Sequence, residues 1–203
     1  MLIHWCLKGL QGGVGFGDVE ALSILKDVGI QSNWMRANAS LTLGQANIAA
    51  QKVLSLAALD NHVNDYGAVR GSTPYISLSA GCRDFFGSTV PTTTYPAYRT
   101  ALEFATSWGS TFGYIYRCWA VTAPQVAADL IGIADEIRDL NLFADFYQYH
   151  HEGEISAKIV VPVRQIQWVQ KVGPNLQALG WSDGHGPQAR KIQTSGDLKR
   201  SRI

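Results

Sequence analysis

The chain has 203 residues, of which 46% are hydrophobic and 16% charged, and its formal net charge is +1. That apolar share is enough for a full core and excludes global disorder, while the near-neutral balance excludes the broadly basic surface of a general nucleic-acid binder. Twenty Gly, six Trp and eight Tyr beside so few charges point to an α+β fold with many tight loops.

The elements follow in chain order. Ile3 to Leu7 reads as an opening strand, and the glycines between Gly9 and Gly17 as a loop. Within it, Gly13-Val14-Gly15-Phe16-Gly17 lacks the spacing and the following Lys-Ser/Thr of a phosphate cradle. Val19 to Val28 is an expected helix, and Leu43 to Asp60 a second, with Ile48, Val53, Leu56 and Leu59 at helical spacing. Gly67 to Pro74 is turn-rich and feeds a short strand, Tyr75-Ile76-Ser77-Leu78-Ser79, whose Tyr75, Ser77 and Ser79 share one face. Ala80 to Gly87 starts a helix or turn, Thr89 to Pro96 is an exposed loop, Ala97 to Trp108 is a helix and Gly113 to Val121 a strand.

Pro124 to Leu140 has a continuous apolar stripe, Val126, Leu130, Ile133, Ile137 and Leu140, which predicts a helix with Asp135 off the stripe. Phe143 to Glu152 is irregular. Glu154 to Val163 alternates as a strand, and Ile166 to Val172 is a further one. From 180 onward the apolar content falls and Arg190, Lys191, Lys199, Arg200 and Arg202 face only Asp183 and Asp197, so 180–203 is expected to be a polar, basic tail on a domain of residues 1–179.

No run is long enough to span a membrane, and Met1 to Lys8 lacks the basic-then-apolar order of a secretory signal. A cytoplasmic chain with no membrane partner is expected. Cys6, Cys82 and Cys118 have no metal-ligand spacing and read as buried free thiols.

Three places combine polar side chains with strand geometry. They are His4 with Lys8 on the first strand, Ser77 with Ser79, and Glu152 with Glu154 at the mouth of an apolar strand. Two carboxylates spaced by one residue in extended chain point the same way, about 7 Å apart. Such a pair can hold a ribose hydroxyl and face a developing positive charge. A rival reading takes His150, His151, Glu152, Glu154 and the distant His185 as a metal cluster, but neighbouring His side chains in extended chain point apart, so no metal is expected.

The order of a basic residue on strand one, a Ser-x-Ser strand and then Glu-x-Glu resembles the mono-ADP-ribosyltransferases of toxin type. Arg70-Gly71-Ser72-Thr73-Pro74-Tyr75-Ile76-Ser77-Leu78-Ser79, the helix segment Ala101 to Ala105, and Glu152-Gly153-Glu154-Ile155 with Val160-Val161-Pro162 carry the likeness. It departs from that pattern at Lys8-Gly9, where Arg-Gly is usual, and at Leu78, where Thr is usual. The resemblance implies a split β-sheet core with surrounding helices and NAD as substrate, without a metal. His4 or Lys8 would fix a ribose or phosphate of NAD, and Ser77 and Ser79 would support the nicotinamide pocket, with Tyr75 or a Phe of the Phe85-Phe86 pair stacking on the ring. Glu154 would stabilise the oxocarbenium-like state, and Glu152 would orient or deprotonate the acceptor. That acceptor would be a macromolecule, protein arginine first among the expectations, with nucleic acid open. The chain would then be an endogenous enzyme, a phage modifier, or a toxin or effector delivered into another cell's cytosol. The alternatives on the same fold are a noncatalytic binding or inhibitor module and an NAD glycohydrolase.

Overall fold

The computed structural model describes residues 2–80, 94–122, 132–136, 153–174 and 177–184. Strand β1 (Leu2–Gln11) pairs antiparallel along its whole length with β4 (Gly113–Thr122), from Leu2↔Thr122 to Gln11↔Gly113. The expected strand thus runs on through Gly9, which the sequence reading assigns to a loop. Gly9 is there for packing. A Cβ on it would lie 2.0 Å from the Ala101 carbonyl oxygen of α6 (Thr94–Thr106), so the glycine lets that helix rest on the sheet.

β1 also touches β3 (Tyr75–Ser79) through Leu7↔Ser79, and β3 pairs with β6 (Glu154–Lys158), which pairs with β5 (Ile133–Glu136). β5 runs parallel to the end of β4 at Val121 and Thr122, which closes β1, β3, β6, β5 and β4 into a ring. The second edge of β4 is divided. Lower down, at Gly113 to Cys118, it carries β8 (Ile166–Gly173), and β9 (Gln177–Gly184) follows outside β8. β9 crosses the expected 179/180 boundary, so the sheet takes in the first residues of the expected tail, and 185–203 lie outside the described residues.

The fold is a mixed sheet core with helices, in keeping with the α+β expectation. Its largest core cluster takes Cys6, Ile76, Leu78, Tyr114, Tyr116, Ile155 and Ala157 from the sheet, and Ala21 and Leu25 from α1 (Asp18–Ser23) and the π-helical turn Ile24–Val28 that continues it. A two-stranded ribbon, β2 (Ile30–Gln31) with β7 (Val160–Val161), lies beside it. Cys6 and Cys118 stand directly opposite each other on β1 and β4 as buried thiols outside any disulfide, with burial pushing the Cys118 thiol up to about 12.

Two helix expectations change. Leu43 to Asp60 divides into α3 (Leu43–Ala50) and α4 (Leu56–Asn64), after the short α2 (Asn33–Ala37). Ser55 restarts the chain by capping the Ala58 N–H, and α5 (Tyr66–Val69) follows α4. The second change is larger. Residues 133–136 form strand β5, where a helix is predicted, because the sheet offers them two hydrogen-bonding edges at once. Gly132, at φ 76°, opens the strand in a conformation no helix interior holds. The rest of that stretch, 123–131 and 137–140, lies outside the described residues. At Thr89 to Pro96, α6 begins at Thr94, inside the expected loop.

Candidate functional site

The strand registers set one polar face. Ser79 lies opposite Glu154, Ser77 opposite Ser156 and Tyr75 opposite Lys158, while Asp135 of β5 stands opposite Ser156 on its other side. The intervening Ile76, Leu78, Ile155 and Ala157 all face the core. This explains Leu78 within the serine triplet, since the middle position points away from the polar face into the apolar interior.

Glu154 is only 8% exposed, and every residue of β6 is buried. The expected strand-mouth carboxylate is therefore set inside the molecule, where an isolated charge is costly unless it is held. The Ser156 hydroxyl donates to Glu154 Oε1 at 3.0 Å. His62 Nε2 lies 3.8 Å from the same oxygen and 3.0 Å from Ser77 Oγ. The other ring nitrogen, Nδ1, is 2.8 Å from Thr73 Oγ1, which in turn accepts the Tyr75 N–H at 3.3 Å. Tyr66 meets the imidazole edge-on and Tyr75 lies tilted against it, at centroid distances of 5.5 and 5.7 Å.

Burial, aided by the positive charge of Lys8, pushes the His62 pKa down to about 3, so the ring is neutral and its approach to Glu154 is not an ion pair. The half-buried Lys8 has its own pKa lowered by burial, with Glu154 and Cys118 acting to hold its charge and Arg36 opposing them. Deeper along the same face, Lys158 Nζ pairs with Asp135 Oδ1 at 3.0 Å. Burial raises the Asp135 carboxyl and Lys158 counters that shift.

The structure thus sets Tyr75, Ser77, Ser79 and Glu154 from the sequence-derived set on one face, while Lys8 stands opposite Tyr116 on β4 and acts on Glu154 through its charge. His4 belongs elsewhere: it is buried with Nε2 2.9 Å from Thr122 Oγ1, opposite Ala120 on β4. Glu152 and Phe85 lie outside the described residues, as do His150, His151 and His185 of the rival metal reading. Among the described residues no three His, Cys, Asp or Glu side chains gather to hold a metal ion. Nor is any described helix long and apolar enough to cross a membrane.

His62, Thr73 and Ser156 were not singled out from sequence. His62 carried a signal, since Leu59, His62 and Val63 fall at i, i+3 and i+4 and form the buried face of α4. A serine 3.0 Å from an imidazole nitrogen has the spacing of a nucleophile and base. Here, however, the carboxylate sits beside the same nitrogen as the serine, and the far nitrogen meets a hydroxyl, so the order of a Ser-His-acid triad is missing. No protein-family model and no curated protein sequence matches the chain.

The neutral imidazole has a consequence for stability. The unfolded chain takes up a proton on His62 near pH 6.5, and the folded one does so only near 3. Stability is lost as the pH falls through that window, at up to about 1.4 kcal/mol per unit. His62→Gln should flatten the slope. Urea midpoints at pH 7 and 4.5 measure it: Lys8, Glu154, Tyr66 and Tyr75 face the site in both proteins, so equal slopes would contradict a buried neutral His62.

Proposed function

We propose that the chain is a mono-ADP-ribosyltransferase that moves ADP-ribose from NAD to a macromolecular acceptor. The observation that carries this reading is the β3–β6 register, which sets Ser77 and Ser79 beside the buried carboxylate of Glu154, with the charge of Lys8 on β1 acting on that carboxylate, in the chain order the resemblance implies. The divided edge of β4, with β8 and β9 leaving it on one side of the gap and β5 on the other, supports a split-sheet core. Hydroxyl donors around one carboxylate suit the hydroxyls of a ribose.

The chemistry follows from charge. The bond between the nicotinamide nitrogen and the ribose breaks, and its electron pair leaves with nicotinamide, neutralising the pyridinium. Positive charge grows on the sugar, and Glu154 stabilises that state more than the ground state because its charge is already in place. Lys8 offers a cation to a phosphate of NAD. An acceptor nucleophile then bonds to the sugar carbon and gives up a proton, which Glu152 takes if it stands where the Glu-x-Glu pattern implies. Water as acceptor gives glycohydrolysis.

Incubation with adenine-labelled NAD and a cell lysate, then separation of protein, nucleic acid and free ADP-ribose, tests the transfer. Label on protein is expected. Glu152→Gln should lower that label at least tenfold while nicotinamide release into water survives in part. Label appearing only as free ADP-ribose would favour the glycohydrolase, and no turnover by folded protein would favour the noncatalytic module.

A further inference from the structure

We propose that His62 is a positioning residue, a neutral imidazole with its proton on Nε2 that aims the Ser77 hydroxyl at bound substrate beside Glu154. The hydrogens along one relay set this tautomer. Thr73 Oγ1 already accepts the Tyr75 N–H, and its single hydrogen is free to go to His62 Nδ1, 2.8 Å away. With Nδ1 as acceptor, the neutral ring carries its proton on Nε2 and donates it to Ser77 Oγ at 3.0 Å. That tautomer also turns a positive N–H toward Glu154 Oε1 at 3.8 Å, where the alternative would face a lone pair to a carboxylate. The Ser77 oxygen has then accepted its bond, and its own hydrogen is left for a substrate oxygen.

The relay is rigid as well as ordered. Thr73, Tyr75 and Ser77 lie within five residues of one another, and His62 is 2% exposed and held by Tyr66 and Tyr75. Burial and the nearby Lys8 keep the ring from becoming an imidazolium, which would have no lone pair for the Thr73 hydroxyl. The groups against the ring are therefore Glu154 from β6, Tyr66 from α5, and Thr73, Tyr75 and Ser77 from β3 and the turn before it, with Lys8 of β1 acting on it through its charge. The positioning role rests on the transferase reading; the relay does not.

Two arms test them separately. Nitrogen-15 NMR of the wild-type imidazole between pH 5 and 8 should show a neutral ring protonated on Nε2. An imidazolium, or a ring protonated on Nδ1, would overturn the proposal whatever the activity. In the second arm, nicotinamide release from NAD is measured for His62→Leu and His62→Gln. Leu removes the donor, and a serine misaimed by an ångström should lower kcat by about a hundredfold. Gln places an amide N–H where Nε2 was and should restore most of that loss. Equal losses in two folded variants would overturn the positioning role. If wild-type protein cleaves no NAD, the transferase reading fails, the positioning role with it, and the NMR arm still decides the relay. That arm also stands if His62→Leu fails to fold.

Discussion

Replacing Glu154 by Gln is expected to lower NAD cleavage by about a hundred- to thousandfold while the protein stays folded. The substitution keeps the shape and leaves a carbonyl oxygen able to accept the Ser156 hydroxyl that now reaches Oε1 at 3.0 Å. On the transferase reading, what it removes is the charge opposite a forming oxocarbenium. Loss of one preorganised electrostatic contact of that kind costs roughly 3–4 kcal/mol in the transition state. The carboxylate is buried, so the contact acts where water screens it little. The same burial makes Gln tolerable to the fold, because the neutral amide has less hydration to lose than the carboxylate. Glu154 also helps hold the charge of Lys8, so in the Gln variant burial should lower the lysine's pKa further. Initial rates of nicotinamide release and a thermal melt for both proteins check this. A large fall in melting temperature would mean that the carboxylate serves the fold instead.

Gly113→Ala should have the largest effect on stability. A Cβ there would lie 1.8 Å from the Ala105 carbonyl oxygen of α6 and 2.7 Å from the Leu10 carbonyl oxygen of β1. Both are backbone, so neither can turn aside. Either the helix lifts from the sheet, opening the cluster of Tyr98, Ala101, Leu102, Ala105, Ile115 and Val172, or the β1–β4 ladder parts. The cost belongs at or above the top of the usual overpacking range of about 1–3 kcal/mol. At about 2–4 °C per kcal/mol for a chain of this size, the melting temperature should fall by about 6–12 °C or more. Gly44→Ala, in the exposed part of α3 with nothing within 4 Å of its Cβ, should instead raise stability by about 0.5–1 kcal/mol. Chemical denaturation of the two variants checks both signs, and a neutral Gly113→Ala would contradict the close seating of α6.

Much of this arrangement was legible in the sequence. Tyr75–Ser79 reads as a strand with one polar face because its alternation is unambiguous, and Glu154 starts the strand where the apolar alternation starts. The failures have physical causes. Gly9 carries the same letter in a loop as under a helix, and only the packing of Ala101 tells the two apart. The stripe through Ile133 fits a helix, yet as a strand Ile133 and Ala134 pair with β4 and Ala134, Asp135 and Glu136 with β6, a tertiary gain that local periodicity does not contain. Asp135 falls off that stripe, and its partner Lys158 is 23 positions away in the chain and reaches it only through the β5–β6 register. His4 and Lys8 were equal candidates by position, and it is Lys8 that comes within electrostatic reach of Glu154 while His4 is spent on Thr122.

The most direct test of the central claim is the release of nicotinamide from ring-labelled NAD by purified protein, with Glu154→Gln run beside it at matched concentration. The account predicts steady release by the wild-type chain, unaffected by a chelator, and a rate a hundredfold or more lower for the variant. Release at the buffer rate by a folded wild-type chain, or equal release by the two proteins, would contradict it.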